Sequence, residues 1–320
     1  MSADRVRQIA DAVLYEGYVL WPYRRSALKN RQRFTFGGIY PQGWPEDRSE
    51  LRVECLLEAE APVRARARVR FLHVVRRRLL DARGEPTDEL TVGGERLLGW
   101  DEATEREVRV PVPGRAALEI PEGASEEELR ERDGRRAGGV RRSWSALQGS
   151  LEATTVELRP ALHRVSLRVV NTARWDGGDR ERTLRRTLCS THAILEAEDG
   201  AFVSPADPPE DLRGAAAGCH NDGAWPVLVG EPGERSTMLA SPIILEDYPR
   251  VAPESPGDLF DGAEIEQLLT LNILALPEAE KAEMRASDPR AREILERTES
   301  LSAEQLMRLH GTIRDLRREG

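Results

Sequence analysis

Aromatic side chains and cysteines are scarce in this chain of 320 residues. Aromatic residues make up 5% of the sequence, and there are three cysteines. So few cysteines, and an odd number of them, do not form a disulfide framework in a chain of this length. The sequence also lacks any run of ~18 apolar residues, the length that a membrane-spanning helix needs. The N-terminus lacks the apolar run of a signal peptide, so we expect no membrane insertion and a cytoplasmic location.

Known catalytic signatures are also missing from the sequence. We find no phosphate-binding loop, dinucleotide fingerprint, nucleophile elbow or metalloprotease helix motif. The net charge of -9 disfavours general nucleic-acid binding, because attraction to phosphates needs a basic face. Without such a signature, we expect a non-catalytic protein.

Half of the few aromatic residues lie in residues 15–44, which we call the aromatic–basic segment. It also carries five basic residues against a single acid, Glu16. One interpretation is that the rings complete a core that is poor in large side chains. The other is a binding site, since rings offer contact area and arginines offer planar hydrogen-bond forks. For that site we predict partner-binding residues Tyr15, Tyr18, Trp21, Tyr23, Arg24, Arg25, Lys29, Arg31 and Arg33.

Alternating apolar and polar residues after this segment indicate β-structure. Residues 50–60 and 63–75 both alternate, which predicts a hairpin with one buried face. Four arginines between 64 and 70 would then be neutralised by Glu54, Glu58 and Glu60 on the paired strand. Residues 81–105 and 121–142 are predicted to be mobile loops. Further strands are predicted at 106–113, 115–120, 144–158, 161–171, 187–197, 201–204, 225–230 and 236–245.

The patterns together predict an α+β fold, with a predominantly antiparallel β-sandwich-like body and a C-terminal tail of short α-helices. We divide the chain into an N-terminal helix and aromatic–basic segment (1–44), a β-rich domain (45–248) and a helical C-terminal region (249–320). Helix-capping patterns at 261–264 and 302–305 mark two helix starts in the tail. Residues 246–320 contain 17 acids and 10 bases. This acidic tail is therefore expected to contact the aromatic–basic segment, within or between chains.

Three residues form a candidate metal site, His192, Cys219 and His220. These side chains suit Zn, Ni or Fe. Cys189 is close in sequence, but residues 189 and 192 of a regular strand lie on opposite faces. Cys219 with His192 or His163 is also a candidate nucleophilic pair. A metal carrier or metal-dependent enzyme is therefore the alternative function to protein binding.

Four stretches of the sequence resemble an uncharacterised bacterial family associated with [NiFe]-hydrogenase gene clusters. The resemblance spans most of the chain outside 81–142 and implies an accessory role in hydrogenase assembly or maturation. The implied partner is a hydrogenase subunit or a maturation factor, and the resemblance brings no catalytic residues with it. The stretches are Tyr15-Glu-Gly-Tyr-Val-Leu-Trp-Pro-Tyr-Arg24, Lys29-Asn-Arg-Gln-Arg33, Trp225-Pro-Val-Leu-Val-Gly230 and Ser255-Pro-Gly-Asp-Leu-Phe-Asp-Gly262.

Overall fold

The computed structural model describes residues 2–20, 23–34, 36–250 and 266–302 of the chain. Within this part there are six α-helices: α1 (Ser2–Tyr15), α2 (Arg180–Leu184), α3 (Arg213–Ala217), α4 (Glu266–Leu274), α5 (Glu278–Ser287) and α6 (Pro289–Glu299). The strands are β1 (Glu50–Glu58), β2 (Ala65–Leu80), β3 (Pro86–Thr87), β4 (Glu89–Val92), β5 (Glu95–Leu98), β6 (Trp100–Val112), β7 (Gly114–Ile120), β8 (Gly123–Arg130), β9 (Arg136–Trp144), β10 (Leu147–Arg159), β11 (Leu162–Asn171), β12 (Cys189–Ala197), β13 (Ala201–Phe202), β14 (Trp225–Leu228) and β15 (Thr237–Ser241).

Two antiparallel sheets form the β-body. The five-stranded sheet has the order β13-β1-β11-β10-β7, and the eight-stranded sheet has the order β14-β15-β12-β2-β9-β8, with β3 and β6 also paired to β2. Alternate side chains of both sheets meet in one buried cluster, which includes Leu57 and Leu167 from the first sheet and Phe71 and Leu195 from the second. The predicted α+β class, with its antiparallel body and short C-terminal helices, is confirmed.

The predicted hairpin between residues 50–60 and 63–75 is wrong. β1 pairs with β11 and β13, whereas β2 pairs with β12, β6, β9 and β3, so the two runs belong to different sheets. Alternation specifies which side of a strand is buried but not which strand lies beside it. Their apolar sides face each other across the sandwich. Arg66 and Arg68 consequently pair with Glu196 of β12, at 3.0 and 3.2 Å, rather than with acids of β1.

The two predicted loops also contain strands. β3, β4, β5 and the start of β6 occupy 81–105, and β8 and β9 form a hairpin within 121–142. β8 exposes most of its charged side chains, so it lacks the apolar alternation by which strands are recognised. Its stability comes instead from cross-strand ion pairs, such as Glu126 with Arg141 at 2.5 Å and Glu127 with Arg142 at 2.9 Å.

A layer of helices covers the outer face of the eight-stranded sheet. Val6, Ile9 and Val13 of α1 pack against β12, β14 and β15. The aromatic–basic segment and α4, α5 and α6 pack against Leu72 and Val74 of β2. No helix in the described ranges is long and apolar enough to cross a membrane. The division at 44 and 248 stays a prediction, and both capping patterns lie wholly or mostly outside the described residues.

Candidate functional site

The aromatic rings of the aromatic–basic segment are mostly buried. Tyr15, Tyr18, Tyr23 and Phe34 are each at most 5% exposed, and they belong to the apolar cluster that the C-terminal helices complete. Tyr15 and Tyr18 make an edge-to-face contact with ring centroids 5.4 Å apart. These rings build the core of the helical layer and present almost no surface to a partner. Trp21 lies outside the described residues, as does the side chain of Arg31.

Arg33 is a structural residue rather than a free cation. Its guanidinium carbon lies 3.7 Å from the ring centroid of Trp100, and Nη2 donates to the backbone oxygen of Asp101 at 2.5 Å. Burial lowers the pKa of the Arg33 guanidinium, and nearby Tyr18, Asp288 and Asp101 oppose that shift. The side chain thus ties the aromatic–basic segment to β6.

The acidic tail contacts the aromatic–basic segment within the same chain, as predicted. Arg24 Nη1 lies 2.5 Å from Glu280 Oε1. Both the backbone N–H and the hydroxyl of Ser26 donate to the carboxylate of Glu283, at 2.7 and 2.9 Å. Helix α5 is therefore the intramolecular acidic ligand of this part of the segment, and Arg24 is already engaged.

Another part of the segment lines an open cleft of about 690 Å³, which we call the arginine cleft. It forms where the segment meets the C-terminal half of β2, the start of β6 and helix α2. Its lining residues are Arg25, Asn30, Arg76, Arg78, Asp88, Gly99, Trp100, Asp101, Arg180, Glu181 and Leu184.

Local hydrogen bonds position the cleft arginines. Buried Asn30 accepts from the backbone N–H of Leu20 at 2.8 Å and donates to the backbone oxygens of Leu20 and Arg24, which closes the turn that carries Arg25. Asp179 caps α2 by accepting from the backbone N–H of Arg182 at 2.8 Å. That cap places the first residue of α2, Arg180, at the edge of the cleft.

The acids in the cleft neutralise only some of its arginines. Asp101 lies 3.2 Å from Arg78 and 3.6 Å from Arg185, and Glu181 also pairs with Arg185.

Three cleft arginines keep their positive charge unneutralised. Arg25, Arg76 and Arg180 have no carboxylate within ion-pair distance among the described residues. Arg180 is instead held by the backbone oxygen of Arg33, at 3.2 Å. Among the acids that line the cleft, only Asp88 has no cation within ion-pair distance in the described part of the chain. The cleft is therefore suited to carboxylate or phosphate groups, which guanidinium forks bind in a bidentate manner.

The candidate metal residues are not brought together. His192 lies on the outer face of the eight-stranded sheet, whereas Cys219 and His220 lie against the outer face of the five-stranded sheet, where Glu54 accepts from the backbone N–H of His220 at 2.8 Å. Burial, and then nearby Arg70, lower the pKa of His192 to about 3. Burial raises the pKa of the Cys219 thiol. Across the described residues, no group of three or more His, Cys, Asp or Glu is arranged to hold a metal.

The expectation that residues 189 and 192 lie on opposite strand faces is wrong. Cys189 pairs with Leu72 and His192 pairs with Arg70, so a step of three residues along β12 matches a step of two residues along β2. This irregularity contains Ser190 at φ 51° and turns both side chains to the same face. Burial raises the pKa of Cys189 to about 12, so the thiol stays protonated at neutral pH.

Sequence reasoning missed most residues of the cleft. Arg76 and Arg78 lie in an Arg-Arg-Arg run within the mostly apolar second half of β2, with no acid between 71 and 80. That run was an available signal, because three adjacent cations rarely occur in a buried strand without a partner. Arg180 carries no comparable signal, since its position depends on how α2 folds back beside β6.

Comparisons with known proteins do not assign this chain to a family. No protein-family model matches the chain, and the comparison with curated proteins finds no similar sequence. The resemblance to hydrogenase-cluster proteins thus rests on the four sequence stretches alone, and the function must be argued from the arginine cleft.

Proposed function

We propose that this chain is a non-catalytic accessory protein that binds an acidic segment of a partner protein in the arginine cleft. The observation that carries the proposal is the set of three cleft arginines, Arg25, Arg76 and Arg180, that have no carboxylate partner among the described residues. Arginine is enriched in the energetically important parts of protein interfaces.

The charges explain why a partner would gain from binding here. An unpaired guanidinium at the surface is well solvated, so leaving it unpaired costs the free protein little. A partner carboxylate that approaches in bidentate geometry gains charge-assisted hydrogen bonds and is drawn in by the local positive potential. The net charge of -9 repels long polyanions at a distance, which favours a short acidic segment over a nucleic acid.

The partner's identity follows from the sequence resemblance alone. We propose a [NiFe]-hydrogenase subunit or maturation factor, met in the cytoplasm during assembly. Among the described residues of the predicted partner-binding set, Arg25 lines the arginine cleft.

Binding to a purified hydrogenase large subunit, measured by biolayer interferometry, tests both parts of this proposal. We expect Arg25→Glu with Arg76→Glu to weaken binding at least about tenfold, because two ion pairs are replaced by repulsion. The matched control is Arg213→Glu, since Arg213 is exposed and begins α3 on the five-stranded sheet. A short glutamate-rich peptide serves as a second probe.

The two probes separate the two parts of the proposal. Binding of the peptide but not of the hydrogenase large subunit would remove that subunit as the partner and keep the acidic-segment site. Equal affinity of the double variant and the wild type for the peptide would refute the site itself.

A further inference from the structure

A second open depression, of about 610 Å³, adjoins the arginine cleft. Arg25 and Asp88 line both, so the two depressions meet at these residues. The other lining residues of the second depression are Ser26, Glu89, Arg96, Leu98 and Glu283.

The walls of the second depression come from two elements that lie far apart in sequence. Glu89 and Arg96 belong to the two-stranded sheet of β4 and β5, and Glu283 belongs to α5 of the acidic tail. Glu283 is held in place by its two hydrogen bonds from Ser26. The acidic side of the depression is thus part of the packed structure.

The second depression carries more unpaired negative charge than positive charge. Arg96 is neutralised by Glu89 at 2.7 Å. Glu283 has no cation within ion-pair distance among the described residues, and Asp88 at the junction has none either. Arg25 lines both depressions, so the second holds the two acids Asp88 and Glu283 against one arginine. The first holds three unpaired arginines against Asp88. The two depressions therefore differ in the sign of their uncompensated charge.

We propose that the two depressions form one groove that binds an extended bipolar segment of the partner, with an acidic residue at Arg76 and Arg180 and a basic residue at Asp88 and Glu283. This inference rests on the proposed function, since it assumes that the arginine cleft receives an acidic side chain. A purely acidic segment would meet like charge in the second depression, and such repulsion is a common source of specificity.

The dimensions of the groove suggest the spacing of the two charges. The two depressions meet at Arg25 and Asp88, so one short extended chain, which advances about 3.3 Å per residue, spans both. Side chains of an extended chain alternate between two faces, so charges four residues apart, as in Glu-x-x-x-Lys, both point into the groove.

Fluorescence anisotropy with two synthetic peptides tests the inference. The bipolar peptide is Glu-Glu-Gly-Gly-Lys-Lys, and the matched peptide, Glu-Glu-Gly-Gly-Gln-Gln, keeps the acids and lacks the bases. We expect the wild type to bind the bipolar peptide about fivefold more tightly, the effect of two partly exposed ion pairs. In Asp88→Asn with Glu283→Gln the ratio of the two affinities should fall to about one.

Controls separate failure of this inference from failure of the proposed function. Glu157→Gln, an exposed acid of β10, should keep the fivefold ratio. Glu283→Gln could disturb folding, because Glu283 accepts two hydrogen bonds from Ser26. The single variant Asp88→Asn avoids this change and should lower the ratio of the two affinities part of the way towards one. Equal binding of both peptides by the wild type would overturn the bipolar groove and leave the acidic-segment site standing. If neither peptide binds at low salt, both proposals are overturned.

Discussion

Replacing Asp288 by alanine should be among the most damaging single changes to this protein. Asp288 is 1% exposed and joins the tail to the aromatic–basic segment. One carboxylate oxygen caps α6 by accepting from the backbone N–H groups of Arg290 and Ala291, at 2.8 and 3.4 Å. The other accepts from the Tyr18 hydroxyl at 2.8 Å. One side chain thus accepts hydrogen bonds from the N-terminal N–H groups of a helix and from a buried phenol.

The expected cost is the sum of these roles. Loss of an N-cap costs about 1 kcal/mol, and loss of a buried hydrogen bond to a charged group costs about 1.5–3 kcal/mol. The buried cations Arg33 and Arg77 would also lose the negative charge that lies near them. We therefore expect Asp288→Ala to lower the free energy of unfolding by about 3–5 kcal/mol, the range for breaking a buried charge interaction.

Urea unfolding followed by circular dichroism measures this loss, and companion variants divide it. Asp288→Asn keeps a cap and an acceptor but not the charge, so about half of the loss is expected. Tyr18→Phe removes only the donor and should cost about 1.5–3 kcal/mol, the loss of one buried hydrogen bond to a charged group. Asp133→Ala is the control, because Asp133 accepts a hydrogen bond from the Arg135 N–H in an exposed turn.

A small effect would refute the reasoning. A loss below about 1 kcal/mol for Asp288→Ala would mean that the carboxylate does not anchor α6. Strict additivity of Tyr18→Phe and Asp288→Ala would mean that the two side chains do not interact, whereas the structure predicts a coupling of about 1 kcal/mol.

Two further predictions concern acid stability. Burial alone would raise the pKa of Glu54, but hydrogen bonds from the His220 N–H, Arg52 and Ser166 outweigh it and hold the pKa below its ordinary value. This stabilisation is present above the unfolded pKa of about 4.3 and lost as the pH falls through the folded pKa, so Glu54→Gln should flatten the acid end of the stability curve. His192, with a pKa of about 3, takes up a proton on unfolding between about pH 6.5 and 3. Stability should fall as the pH drops through that window, because the unfolded chain then binds one more proton than the folded protein. Urea titrations of His192→Asn should lack this slope.

The β-body was largely predictable because its strands bury one side. Alternation located β1, β2, β10, β11 and β12 to within a few residues. The hairpin of β8 and β9 was not predictable in this way, since its exposed side chains carry charge on both faces and its pairing depends on cross-strand ions. The pairing of β1 with β11 could not be predicted either, because the alternation within a strand does not depend on which strand lies beside it.

The candidate site shows the same division. Composition singled out the aromatic–basic segment, and the opposite charges of segment and tail predicted their contact, which Arg24 and Glu280 make at 2.5 Å. Composition did not distinguish Arg33, which is buried on Trp100, from Arg25, which lines the cleft. That distinction depends on how the segment packs against β6, which buries Arg33 and leaves Arg25 in the cleft.

Local patterning and charge therefore determined the α+β class, the positions of most sandwich strands and the attraction between the two ends of the chain. Periodicity and net charge are properties of neighbouring residues, so they can be read without knowing the fold. Tertiary structure alone decided that His192 is separated from Cys219 and His220, and that Arg25, Arg76 and Arg180 line one cleft. Such groupings are set by sheet pairing and by the packing of helices on the sheet, which join residues more than 50 positions apart. The same packing buried most of the described aromatic rings of the aromatic–basic segment and left the arginines of three separate elements to line the arginine cleft.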